Sequence, residues 1–246
     1  ADMYYNELTS LYGTSANYSM DPFHEGGSVA GVDLPAAGTK LMAAMKRANP
    51  DAVWVVQSWQ ANPRPAMIDT LDAGYMLILD LYSEKVPKWR RNSGYGKHEW
   101  AYCMLLNFGG NVGMHGRMES LVNGFYEAKG GVAGNHLTGV GATPEGIENN
   151  PVMYELVYEL PWRDETFDTG EWLSGYLKAR YGTDTLPSDT RRGWEALRAT
   201  VYNAPADYRG EGTVESLFCA RPRWGVSSAS TWGSSKLFYD ADSTAE

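Results

Sequence analysis

Two glutamates in this chain stand in unusually constrained surroundings. Glu25 lies in Asp21-Pro22-Phe23-His24-Glu25-Gly26-Gly27, and Glu145 in Gly139-Val140-Gly141-Ala142-Thr143-Pro144-Glu145-Gly146. Each follows a short strand-like run and occupies a tight corner bounded by Gly and Pro. Pro144 fixes the backbone before Glu145 and Gly146 frees it afterwards, which aims one carboxylate. Two carboxylates brought from neighbouring strand ends to one sugar ring can divide glycosidic cleavage between them, one donating a proton and the other attacking the anomeric carbon. Plainer readings stand beside this one. Glu25 would also serve as a solvated turn carboxylate. Glu145 and Glu148 would also suit the first turn of a following helix, where the helix dipole favours negative charge.

Other residues with chemical potential lie at comparable places. His24 and Asp21 flank Glu25 closely enough to tune it. Trp59 closes the apolar run Ala52-Val53-Trp54-Val55-Val56-Gln57-Ser58-Trp59, where its indole suits either a sugar-stacking platform or a cap on packed interior. Asn107-Phe108-Gly109-Gly110-Asn111 sets two amides around a glycine pair. Amides hydrogen-bond sugar hydroxyls and acetamido groups, and glycine lets them approach closely; a plain turn uses the same residues.

The elements that must position these groups follow a regular order. Strand-like runs fall near 16–20, 52–59, 75–81, 100–106 and 136–140. Helical spacing separates several of them: a helix capped by Asp33 running to Asn49, a short one from Pro65 to Ala73, and one near 118–127. Glu25, Gln57/Trp59, Asp80, Asn107/Asn111 and Glu145 all lie just past an apolar run. Functional groups after successive parallel strands are the habit of a (β/α)8 barrel. A doubly wound sheet also binds at strand ends, but no strand–GxGxxG–helix pattern is present. From Pro151 the strand signal fades, and 151–160, 170–181 and 188–203 carry helical spacing. The expected fold class is therefore α/β: residues 1–150 form the C-terminal part of a (β/α)8 barrel, and 151–246 begin an all-helical domain. Five strands do not close an eight-stranded barrel, so the chain is expected to be a piece of a longer polypeptide.

Composition excludes several function classes. A formal net charge of −9 over 246 residues does not suit a nucleic-acid partner, which needs clustered cations. The basic runs Lys85–Arg91 and Ala220–Arg223 are short and Pro-interrupted, and are expected to be solvated. Two cysteines, with Cys103 expected as a buried thiol, and four histidines offer no disulfide framework and no metal spacing. No cofactor, metal or membrane span is expected. The 9 Trp and 16 Tyr are compatible with core packing and equally with a carbohydrate pocket.

In this order, the segments resemble the α-N-acetylglucosaminidases, glycoside hydrolase family 89. The likeness rests on Asp21-Pro22-Phe23-His24-Glu25, the 52–59 strand, Leu79-Asp80-Leu81-Tyr82, Cys103 to Asn111, and Pro144-Glu145-Gly146-Ile147. It continues through Trp162-Arg163, Arg180-Tyr181-Gly182 and Val201-Tyr202-Asn203. The resemblance implies a retaining exo-glycosidase that removes terminal α-linked N-acetylglucosamine from heparan-sulfate-like or mucin-type glycans. It puts Glu25 on the acid/base and Glu145 on the nucleophile. Trp59 and Phe108 fall on aromatic residues lining the sugar pocket, with His24 and Asn107 as polar neighbours. A secreted, periplasmic or cell-surface location follows for a bacterial member, and a lysosomal one for an animal member. His24, Thr143 and the segment 112–116 depart from the human family member while both carboxylates remain. The competing expectations are a barrel glycosidase of other linkage specificity and a silent sugar-binding fragment.

Overall fold

The computed structural model describes residues 2–109, 111, 113–131, 135–145 and 150–244. Strands and helices alternate through the first two-thirds: α1 (Asp2–Tyr12), β1 (Asn17–Ser19), α2 (Leu34–Ala48), β2 (Val53–Ser58), α3 (Pro65–Ile68), β3 (Met76–Asp80), α4 (Lys88–Arg91), β4 (Glu99–Met104), α5 (Met118–Gly130) and β5 (Leu137–Ala142). Helices then follow, with no further strand among the described residues: α6 (Pro151–Glu159), α7 (Thr169–Tyr181) and α8 (Ser188–Ala199). The five strand positions match those that the apolar runs predict. The spacing singled out no element before residue 16, where α1 lies.

Among the described residues the sheet has five strands in the order β1-β2-β3-β4-β5. The first four pair in parallel. Trp100 donates to the His136 carbonyl near the start of β4 and Thr143 donates to the Met104 carbonyl at its end, so β5 also runs parallel to β4. Parallel strands connected through helices are an α/β arrangement. In the first unit it gives β1 and β2 a common direction, so the loops that follow these two strands open on the same rim.

By compactness the chain divides into two units. The first holds residues 1–82, 87–103 and 128–139. In it, β2 alternates buried and half-buried positions, as does β3, and the register aligns Trp54 with Met76, Val56 with Ile78 and Ser58 with Asp80. The first two rows are apolar core. The third is polar: Tyr95 donates to Ser58 Oγ at 2.6 Å, and Asp80 accepts from the amides of Lys88 and Trp89. Burial raises the Asp80 carboxyl to about 6, against the pull of those two amides. Asp80 thus holds the first turn of α4, a structural task for a residue expected among the functional groups. Trp89 stacks on Trp100 at 5.9 Å between centroids, which extends the core over β4.

Helix α2 begins where Asp33 accepts from the Ala36 amide at 3.0 Å, with Pro35 in the first turn. Gly38 lets it lie against α3: a Cβ there would meet the Met67 carbonyl oxygen at 2.1 Å. Met42 and Met45 are buried on the same helix.

The second unit holds residues 83–86, 104–127 and 140–246. Its core comes from α5 (Met118, Leu121, Val122, Phe125), α6 (Val152, Met153, Leu156, Val157) and α7 (Trp172, Leu173, Tyr176, Leu177). Trp172 fixes the α6–α7 connection by donating to Glu159 at 2.6 Å. Helix α7 starts at the Asp168 cap and stops at Gly182, whose φ of 64° is a left-handed helix end.

The expectation of a solvated Lys85–Arg91 run needs correction. In the first unit Lys88 and Trp89 are buried, and Lys88 donates to the Gln60 carbonyl at 2.8 Å. In the second unit Lys85 pairs with Glu211 at 2.7 Å and also donates to the Arg209 and Gly210 carbonyls. An ammonium leaves water at tolerable cost when acceptors replace the hydration it loses. The residues around Arg221 and Arg223 are exposed, as expected. Cys103 is a buried thiol. No described helix is long and apolar enough to cross a membrane.

Candidate active site

Glu25 is built from the loop that leaves β1. Met20 still joins the sheet through Val55, and its carbonyl accepts from the Trp54 indole at 2.8 Å. Asp21 then anchors the loop to the end of β2: one carboxylate oxygen accepts the Gln57 amide at 2.6 Å and the Asn62 side-chain amide at 3.3 Å. Asn62 also donates to the Gln57 carbonyl at 2.7 Å. Burial raises the Asp21 carboxyl above its ordinary range, opposed by the Gln57 amide, then His24, then Asn62. Past this anchor the backbone turns left-handed at Phe23 (φ 59°) and at Glu25 itself (φ 35°). Non-glycine residues with positive φ cost on the order of 1–3 kcal/mol and persist where surrounding contacts over-determine them.

The Glu25 carboxylate is exposed and receives one directed bond, from the Trp59 indole Nε1–H to Oε1 at 2.7 Å. Trp59 follows β2 and is half-buried, with Tyr82 6.5 Å from it between ring centroids. The structure therefore brings Trp59 to Glu25, two residues that the sequence places 34 positions apart. His24 is half-buried, with a buried Nε2, and interacts electrostatically with Asp21.

Glu145 is built from the loop that leaves β5, in the second unit. Thr143 ties that loop to β4 by donating from its amide to the Met104 carbonyl at 2.9 Å. Two residues on, Glu145 is exposed, and its Oε2 accepts the Gly109 amide at 2.8 Å. A Cβ on Gly109 would lie 3.4 Å from the same oxygen, an ordinary van der Waals contact. Gly109 belongs to the Asn107–Asn111 loop, which turns left-handed at Leu106 (φ 73°). That loop is held from the other side by 211–213. Phe108 donates its amide to the Glu211 carbonyl at 3.0 Å, and Asn107 Oδ1 accepts the Thr213 amide at 3.1 Å. Phe108 is half-buried with Trp232 at 6.1 Å.

Asn107 and Asn111 are both buried. Their amides serve the loop itself, Asn107 through Thr213 and Gly113 and Asn111 through the Glu211 carbonyl. Each carboxylate is thus oriented by one N–H donor of its own unit: an indole for Glu25, a backbone amide for Glu145. A bond of this kind fixes one oxygen of an exposed carboxylate.

Sequence reasoning passed over Asn62, Glu84 and Arg117. Arg117 is buried and donates to the carbonyls of Ala204, Pro205, Tyr208 and Gly210. The available hint was a charged residue placed immediately before an apolar helix or just after an apolar strand. Residues 146–149, including Glu148, lie outside the described residues. A cavity of about 590 Å³ lined by Pro205, Tyr208, Arg209, Ser234 and Phe238, among others, includes none of the predicted site residues. Among the described residues no three His, Cys, Asp or Glu side chains gather as metal ligands would.

Parallel strands joined through helices, with polar groups on the loops that follow them, define an α/β protein of the barrel or doubly wound kind. Comparison with known proteins narrows this to one family. A family model described as the α-N-acetylglucosaminidase (NAGLU) tim-barrel domain matches residues 1–164, and the NAGLU C-terminal domain model matches residues 172–246. The chain belongs to the α-N-acetylglucosaminidase family. It is 33% identical over 217 residues to human α-N-acetylglucosaminidase, covering 83% of this chain and 29% of that protein. A family 89 glycoside hydrolase from Clostridium perfringens, solved with PUGNAc, superposes with a TM-score of 0.90 at 34% identity. The match covers 99% of this chain and 27% of that one. The same hydrolase with two glutamates changed to glutamine, solved with its substrate GlcNAc-α-1,4-galactose, also matches with a TM-score of 0.90, at 33% identity. The chain therefore spans between a quarter and a third of the length of these relatives.

Proposed function

We propose that this chain carries the two catalytic carboxylates of a retaining exo-glycosidase acting on terminal α-linked N-acetylglucosamine. In that reading residues 1–150 supply barrel strands and 151–246 begin a helical domain. Glu145 attacks the anomeric carbon while the bond to the aglycone oxygen breaks, and Glu25 gives that oxygen its proton. The product is a glycosyl ester on Glu145. Glu25 then takes a proton from water, whose oxygen displaces Glu145 and releases the sugar with its original anomeric configuration. Retention calls for carboxyl groups about 5–5.5 Å apart in the assembled site.

The observation that carries the reading is that each carboxylate is held by a donor of its own unit: Trp59 holds one Glu25 oxygen and Gly109 holds one Glu145 oxygen. Trp59 and Phe108 would supply apolar faces for the sugar ring, with His24 and Asn107 as polar neighbours. Family membership supports the assignment, as does the substrate named for the Clostridium perfringens relative, bound after two glutamates were replaced. Glycans of heparan-sulfate or mucin type share the required terminal sugar.

The test uses p-nitrophenyl α- and β-N-acetylglucosaminides with protein expressed from the complete reading frame. Release from the α anomer only is expected. Release from the β anomer, or from neither, refutes the assignment. Glu145→Ala should be rescued by azide to give the β-glycosyl azide, and Glu25→Ala to give the α-glycosyl azide; the reverse pattern would exchange the two roles.

A further inference from the structure

Glu84 is a buried carboxylate for which the proposed reaction has no use. It lies four residues past the end of β3 and is 4% exposed. Its Oε1 accepts two successive amides, from Leu105 at 3.0 Å and from Leu106 at 2.8 Å. These are the first residues beyond β4, which ends at Met104. Leu106 is also the residue that turns left-handed (φ 73°). Three residues later the Gly109 amide meets Glu145 Oε2. One carboxylate oxygen therefore clamps the root of the loop whose tip orients Glu145.

We propose that Glu84 is a positioning residue for the nucleophile, holding the 105–109 turn in the conformation that aims the Gly109 amide at Glu145. The proposal rests on the reading of Glu145 as nucleophile. The other anchors of this loop bind it further along, Phe108 to Glu211 and Asn107 to Thr213. Glu84 acts at the residue that carries the backbone strain.

An alternative task for Glu84 would be charge balance, since Arg117 and Lys85 lie in its neighbourhood. Lys85 has its own anion in Glu211, whereas Arg117 has four neutral backbone carbonyls as acceptors, so a variant without charge at position 84 is needed to separate charge balance from reach. Burial, the largest influence, pushes the Glu84 carboxyl up to about 7, while the Leu106 amide, its own amide, Arg117 and the Leu105 amide pull it down. A pocket that raises the carboxyl does not demand an anion. What it uses is an acceptor at the right reach.

Reach and charge can be separated. Glu84→Gln keeps an acceptor at the same distance and removes the charge, whereas Glu84→Asp keeps the charge and withdraws the oxygens by one methylene. The measurements are kcat and KM on the α-linked p-nitrophenyl substrate, using protein from the complete reading frame. An inactive wild type would refute the parent reading and is established first. With an active wild type, Glu84→Asp is expected to lower kcat about 10- to 100-fold, the scale of a displacement near 1 Å, with KM within about threefold. Glu84→Gln is expected to keep kcat within about threefold of wild type.

Azide provides a readout that general structural damage would not spare. Adding Glu84→Asp to Glu145→Ala should leave the azide-rescued rate unchanged, because the group being positioned is already gone. A wild-type rate in Glu84→Asp would overturn the proposal, as would a fall in the rescued rate. If Glu84→Asp does not fold, Glu84→Gln still decides: a loss beyond about tenfold shows that charge, not reach, is what the site needs.

Discussion

Trp59→Phe offers a direct probe of how Glu25 is held. The substitution keeps a flat aromatic ring beside Tyr82 and removes the indole N–H that reaches Glu25 Oε1 at 2.7 Å, together with the rest of the second ring. A hydrogen bond to a charged partner is worth about 1.5–3 kcal/mol when sheltered. The Glu25 carboxylate is exposed, so water replaces part of what is lost and the lower end applies. A loss of about 1.4 kcal/mol corresponds to about tenfold in rate. The sign of the substrate dependence matters more than the size. Glu25 is assigned the proton donation to the leaving oxygen, so a misdirected Glu25 should hurt most when that oxygen is a poor leaving group. Bond-breaking rates would be measured by single-turnover kinetics on an α-linked N-acetylglucosaminyl disaccharide and on the 2,4-dinitrophenyl glycoside. The expected result is a drop of about tenfold on the disaccharide and less than about twofold on the activated glycoside. Equal losses on both would mean that the indole supports binding or folding, and the orientation argument for Glu25 would fall.

Glu84→Gln should change the pH dependence of stability. The folded carboxyl titrates near 7 against an ordinary value of 4.5, so between these pH values the folded protein holds a proton that the unfolded chain releases. Stability from this group therefore falls as pH rises through that window. Chemical denaturation should show the Glu84→Gln slope more positive by up to about 1.4 kcal/mol per pH unit, and superimposable curves would refute this. His115 acts in the opposite sense. Burial, then Arg117 and Lys85, push it down to about 3 from 6.5, so its contribution grows as pH rises from 3 to 6.5, and His115→Phe should remove that rise. Arg117→Met should cost about 3 kcal/mol or more by orphaning buried carbonyls at 204–210, read as a fall in denaturation midpoint. Gly38→Val should cost about 1–3 kcal/mol by forcing α2 away from the Met67 carbonyl, and an unchanged midpoint would contradict the close packing there.

Much of the architecture was legible because it depends on neighbours in the chain. The run Val53–Val56 announces a strand, and Asp33 with Pro35 announces a helix start, each from chemistry within a few residues. The alternation of such segments led to a parallel α/β arrangement, and the two Gly/Pro corners drew attention to Glu25 and Glu145. Asp80 was harder to assign. Its place after an apolar strand reads the same whether it faces a ligand or, as found, two amides of α4. The Asn107 amide likewise suited a sugar by type, while its Oδ1 accepts from Thr213, 106 residues away, and its nitrogen donates to Gly113 within the same loop.

Sequence alone determined where the five strands and several of the helices lie and which loops bear carboxylates, because backbone propensity, proline geometry and apolar spacing act locally. Tertiary structure decided what those carboxylates touch and which charges leave water. Nothing near Lys85 in the chain foretells Glu211, and nothing near Trp59 foretells Glu25. A polar group is stable when buried only if a partner arrives within hydrogen-bonding distance. That partner comes from whichever distant segment folding brings alongside, so the roles of Glu84, Arg117 and Trp59 exist only once the chain has folded.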